Sequence, residues 1–150
     1  MTAQDILARN RVILAHFDSY STALVFARWG RTMLLPQALP ESATPLAEPP
    51  AEVGPEHDAA AVKQAVVERY GLNPDELMHA SDFNHWAQTD DGPVRIHLLR
   101  FTTFDAPKAA IAAHDGVFKP ISELRGSAMN ELMLLREVFN LIIGAGGARA

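Results

Sequence analysis

Apolar positions along this chain switch between two spacings, and the switches mark its elements. "RVILAHF" (11–17) is apolar and partly β-branched, which predicts a strand. Asp18 to Ser21 reads as a turn. "TALVFARW" (22–29) predicts a second strand and "RTMLL" (31–35) a third, with Gly30 supplying the positive φ of a tight hairpin between them. Pro36 ends that pairing because it has no N–H to donate. In "VRIHLLRF" (94–101) the alternation is clearest: Val94, Ile96 and Leu98 point one way, Arg95 and His97 the other, onto a face that reads as open to solvent. The period becomes helical at Ala59, Val62, Val66 and Arg69 or Tyr70. It predicts a helix over 58–70, capped by Asp58 and closed by Gly71. "NPDELMHA" (73–80) predicts a short helix, with Asn73 as cap, Pro74 at the first position and two acids in the first turn. A last helix over 128–143 is capped by Ser127, buries Leu132, Leu135, Phe139 and Ile142, and stops at Gly144. Weaker signals place a helical turn or two in 3–9, a strand in 82–89, a short helix within 104–116 and a short strand opening 117–124.

Between the hairpin and the first long helix the texture changes. "PQALPESATPLAEPPAEVGP" (36–55) holds six prolines and reads as a loop about twenty residues long. Only 35 residues precede it, too few for a domain of their own, so 1–150 is expected to be one domain with a flexible tail at 144–150. No internal repeat is evident. The order of elements predicts an α+β fold: a mixed, mostly antiparallel sheet covered by helices.

Composition narrows the function classes without selecting one. Hydrophobic residues make up 48% of the 150, enough for a packed core. The formal net charge of −5 speaks against a nucleic-acid partner, since phosphate backbones want a basic face. No apolar run approaches a membrane span, and "MTAQDILARNRVIL" lacks the basic start of a signal peptide, so a cytoplasmic protein without a membrane partner is expected. The chain has no cysteine, which removes disulfides, thiolate metal sites and a cysteine nucleophile.

Three segments together resemble the Nudix family. "ALVFARWGRTMLL" is similar to that family's opening hairpin, and "GVFKPISEL" to the late segment that closes its sheet before the last helix. "AAAVKQAVVERYGL" resembles the helix of the Nudix box, G-x5-E-x7-R-E-U-x-E-E-x-G-U, where U is aliphatic. The resemblance spans about residues 11–143 and implies an α/β/α sandwich. Anchored on Gly71-Leu72, the box places its lone glutamate on Glu56 and its aliphatic position on Val66, and both agree. Its opening glycine falls on Pro50, its arginine on Gln64, its next glutamate on Ala65 and its glutamate pair on Glu68 and Arg69. The family holds Mg²⁺ or Mn²⁺ beside a pyrophosphate through such carboxylates, because hard cations need oxygen ligands and charge neutralisation. An intact trio carries about −3, one charge per ionised carboxylate. Ala65, Glu68 and Arg69 together carry none. The box is degenerate, and the resemblance implies a helix kept as architecture.

The remaining constellations are weaker. Glu56 and Asp58, with Glu68 farther along the helix, are the metal ligands if a site survives, and Glu68 is then the catalytic candidate. Arg95 and His97 are the candidates for a ligand phosphate. Trp29, Trp86, Phe83 and Phe101 are expected to pack, and so are Met129 and Met133. The six histidines form no metal-spaced pair, and no nucleophile elbow surrounds Ser19, Ser21 or Ser127. The leading expectation is a Nudix-like domain without hydrolytic activity or cofactor that binds a small nucleotide-like ligand or a protein partner. One alternative is a divergent Mg²⁺- or Mn²⁺-dependent pyrophosphohydrolase acting on a nucleoside diphosphate derivative. The other is a homo-oligomeric interaction domain, in which the hairpin and last helix make a homodimer.

Overall fold

A parallel pair of strands lies at the centre of the sheet. The structure, a computed structural model, describes residues 2–18 and 20–144. β1 (Asn10–Asp18) runs parallel to β6 (Gly92–Phe101), with Asn10 opposite Arg95 and His16 opposite Phe101. β2 (Ala23–Trp29) returns antiparallel to β1, and β7 (Gly116–Pro120) pairs with β2 at one edge. On the other side β5 (His85–Thr89) pairs with β6, and β3 (Thr44–Leu46) with β5. The order is β3-β5-β6-β1-β2-β7, and the short β4 (Leu77–His79) continues along the β5 side of β6. The sheet is mixed and mostly antiparallel, as expected, within an α+β fold. The tail expected at 144–150 lies outside the described residues except for Gly144.

Helices cover both faces, and each face has its own core. On one, Ile13, Ala15, Phe26, Ile96 and Leu98 pack against Leu135 and Val138 of α4 (Met129–Phe139). On the other, Val12, Leu14, Leu99 and Phe101 meet Leu7 of α1 (Ala3–Ala8), Val62, Ala65 and Val66 of α2 (Ala59–Tyr70), and Ile111 of α3 (Lys108–Ala112). The strand period of two makes this possible, because alternate residues of β1 and β6 feed opposite cores. α2 keeps the expected ends. Asp58 accepts a hydrogen bond from the Ala61 amide at 3.2 Å, and Gly71 takes the left-handed conformation at φ 64°.

Several expectations are overturned by tertiary packing. Gly30 does turn the chain at φ 69°, but 31–35 is not a strand. Thr32 bridges to Trp29 and Leu35 to Val12, while Met33, Leu34 and Leu35 are buried in succession rather than alternately. The third strand in chain order is instead β3, inside the proline-rich segment. It is an edge strand, where Pro45 sacrifices no ladder bond that a neighbour needs. Asn73 caps a turn as expected, accepting from Asp75 N at 3.0 Å, but that turn ends at Glu76 and β4 follows, because β6 offers a free edge there. Ser127 does not cap α4: the cap residue is Ala128, and the Ser127 hydroxyl points at Met33 Sδ, 3.9 Å away. The buried stripe of α4 is Glu131, Leu135 and Val138, which leaves Phe139 exposed. Met129 and Met133 are 66% and 54% exposed, so they lie outside the core.

Candidate functional site

Most residues singled out from the sequence meet at one end of the sheet, under α1. Asn10 opens β1 and is fully buried; Arg95 and His97 stand on the neighbouring β6, on the same face. The 3-10 turn Pro55–His57, just before α2, closes over them. The Asn10 amide nitrogen donates to Ile6 O and Glu56 O, both at 2.8 Å. Its oxygen is therefore turned inward, where it lies 2.8 Å from His97 Nε2 and 3.2 Å from His57 Nδ1. An amide oxygen only accepts, so both of those ring nitrogens carry hydrogen. His97 Nδ1 is then a lone pair, and His79 Nε2 donates to it at 2.9 Å. Arg95 donates to His57 O at 2.8 Å and lies over the Trp86 ring.

The electrostatics follow from this burial. Burial, then the Arg95 charge and the neighbouring His79 and His57, push His97 down to about 2. Burial also lowers His57 and His79; Arg95 and Arg9 add to this at His57, and Arg95 at His79, against the opposing pull of Glu56 and Asp58 respectively. The imidazoles stay neutral near neutral pH and work as hydrogen-bonding spacers. On the face that the alternation left open to solvent, His97 is fully buried and Arg95 half-buried. α1 and the 55–57 turn cover it, and His97, with no exposed surface and both ring nitrogens engaged, offers nothing to a ligand.

Glu56 belongs to this assembly, 3.5 Å from His57 Nε2, and Asp58 is near enough to act on Arg95 and His79. Glu68 does not. It is exposed on α2 with a hydrogen bond from Gln64 at 3.2 Å, and ten residues at about 1.5 Å each put it roughly 15 Å from Asp58 along the axis. Among the described residues no three His, Asp or Glu side chains are grouped to hold a metal ion. Ala65, where the resemblance would put a box glutamate, faces the core. A carboxylate there would be buried in the apolar core on this side of the sheet, at the cost of desolvation.

A larger open cleft lies elsewhere. A recess of about 740 Å³ opens between the Gly30 turn and the first turn of α4. Arg28 and Arg31 flank it, Leu39 and Leu124 supply apolar surface, and Glu41, Glu123 and Glu131 contribute acid. Two of these acids are occupied. Glu131 is buried and accepts from Met33 N and Thr32 Oγ1, both at 2.8 Å, which ties the 32–34 segment to α4; Glu123 lies 3.5 Å from Lys119 Nζ. Among the described residues Arg28 and Arg31 pair with no carboxylate, and Arg28 Nε is buried without a partner. Sequence reasoning missed this cleft. Its one local signal was the pair of cations around a turn glycine, "RWGR", and the opposing wall is about a hundred residues away in the chain.

No protein-family model matches the chain, and no curated protein matches it in sequence.

Proposed function

We propose that this chain is a Nudix-like binding domain that takes a nucleotide-like or similar phosphorylated anion without hydrolysing it, in the cleft beside Arg28 and Arg31. The observation that carries the reading is this recess of about 740 Å³, within the usual size of small-molecule sites, holding two arginines without carboxylate partners among the described residues. Guanidinium groups suit phosphate and carboxylate because their donors form a planar fork. Binding is favoured over hydrolysis by the helix. Ala65 is buried, Glu68 and Arg69 face solvent, and Glu68 is far from Asp58 and Glu56. The 55–57 turn, where a rescued site would assemble, is stitched to Asn10 and Arg95 instead.

The test is a thermal-shift and calorimetric titration with ADP, ADP-ribose and pyrophosphate, with and without Mg²⁺, beside a chromatographic assay of hydrolysis. Binding by the folded state alone raises apparent stability by mass action. The expected result is stabilisation that needs no metal and is lost in the Arg28→Gln/Arg31→Gln variant, with no product release. Turnover that disappears in Glu68→Gln would establish the pyrophosphohydrolase instead. A homo-oligomeric domain is the second reading, favoured by the exposure of Met129 and Met133 one turn apart on α4. It requires a melting temperature that rises with protein concentration and falls back in Met133→Lys.

A further inference from the structure

The carboxyl ends of the parallel pair β1 and β6 lie at the opposite end of the sheet from the Arg28–Arg31 cleft. There the chain leaves the sheet by Asp18 on one side and Thr102 on the other. A recess of about 470 Å³ opens at this point, walled by Phe17, Met78, Phe101 and Phe104 with Arg100 among them. A second recess of about 430 Å³ adjoins it, sharing Asp18 and Phe104.

Three features distinguish this place from ordinary surface. Phe104 is 74% exposed and Tyr20 86%, and the two rings meet edge to face with centroids 6.0 Å apart. With half-exposed Met78, which lines the same recess as Phe104, they leave an apolar wall that no described element covers, where isolated exposed apolar residues would need no explanation. Arg100 has neither an ion pair nor a hydrogen bond to any described residue, although Asp18 lines the same recess. The Asp18 carboxylate is turned into its own loop, accepting from Tyr20 N at 2.9 Å and Ser21 N at 3.4 Å, and those hydrogen bonds hold it below the usual carboxylate range. Both bonds go to Oδ1 and anchor the carboxylate to the turn, and among the described residues no ion pair joins it to Arg100.

We infer that this recess is a binding site for a planar aromatic or heteroaromatic anion, its ring stacked on Phe104 and its negative group held by Arg100. The ring face of Phe104 supplies a stacking platform, and the unpaired guanidinium supplies a forked donor. The Thr102 side chain lines the same recess and adds a hydroxyl for a polar substituent. An aromatic carboxylate and a nucleoside monophosphate share this chemistry.

The experiment is saturation-transfer NMR on the full chain with four probes: indole-3-acetate, AMP, adenosine and ribose 5-phosphate. Saturation of the ring protons is expected with indole-3-acetate, with AMP or with both. Adenosine and ribose 5-phosphate, each missing one half of the recognition, are expected to bind at least about tenfold more weakly. Phe104→Ala and Arg100→Gln should each weaken the better probe about tenfold, while Gln64→Ala on the exposed face of α2 leaves it unchanged. Phe104 is a surface side chain, so its truncation is not expected to disturb folding, which a denaturation curve checks. Equal binding of all four probes, no binding at millimolar concentration, or indifference to both Phe104→Ala and Arg100→Gln would overturn the assignment. Loss of binding in the Arg28/Arg31 variant would place the ligand in the other cleft.

Discussion

Asn10→Ala should be among the most damaging single changes in this chain, although it removes only a small polar side chain. Asn10 is fully buried and makes four side-chain hydrogen bonds, to Ile6 O, Glu56 O, His57 Nδ1 and His97 Nε2. At about 0.5–1.5 kcal/mol net for each, the bonds alone amount to roughly 2–6 kcal/mol. The upper half of that range is expected, because His97 Nε2–H and Glu56 O lose their partner while the turn above them still excludes water. A loss of about 4 kcal/mol would take a large share of the roughly 5–15 kcal/mol that holds a typical domain together. The assay is urea denaturation at pH 7.5 followed by Trp29 and Trp86 fluorescence, with Gln64→Ala on the exposed face of α2 as a control expected to cost under about 0.5 kcal/mol. Amide exchange should also quicken in 55–58, which Asn10 pins to the sheet. A loss below about 1 kcal/mol with an unchanged denaturant slope would refute the reasoning, since it would mean that these groups find water as readily as they find Asn10.

The same network makes stability depend on pH. His97 sits far below its ordinary value of 6.5 in the folded state, so the unfolded chain binds the proton first and stability falls as pH drops below about 6.5. By pH 5 His97 alone should cost about 2 kcal/mol, with His57 and His79 acting in the same direction; denaturation midpoints at pH 7.5 and 5.0 measure it, and a flat profile would contradict the burial of these rings. Arg11→Met should be neutral or stabilise by about 1–3 kcal/mol. Arg11 is only 4% exposed, donates to Asn10 O at 3.0 Å, leaves Nε unpartnered and pairs with no carboxylate among the described residues, while burial disfavours its charge. A loss above about 2 kcal/mol on thermal or urea unfolding would show that the guanidinium has a compensating partner.

The local features of the chain were legible where one short segment decides them. Asp58 and Gly71 bound α2 because a cap and a left-handed residue act within a turn or so of themselves. β1, β2 and β6 were readable because their alternation or β-branching suits a sheet with a core on each side. The α+β class followed from the order of these elements. Other elements depended on partners distant in sequence. "RTMLL" reads as a strand, yet Glu131 from α4 captures Met33 N and Thr32 Oγ1 and draws the segment into the core. "PDELMH" starts with helix signals, yet β6 presents an edge that Leu77–His79 completes. The candidate site divides the same way. Glu56, Asp58, Arg95 and His97 could be named from the sequence, but only the packing of α1 and the 55–57 turn shows that they meet Asn10 and His57 in a buried network and that Glu68 lies apart. The Arg28–Arg31 cleft and the Arg100 recess could not be read at all. Each sets an unpaired arginine against walls contributed by separate segments, and a sequence lists its charges without showing which of them the fold leaves unpaired.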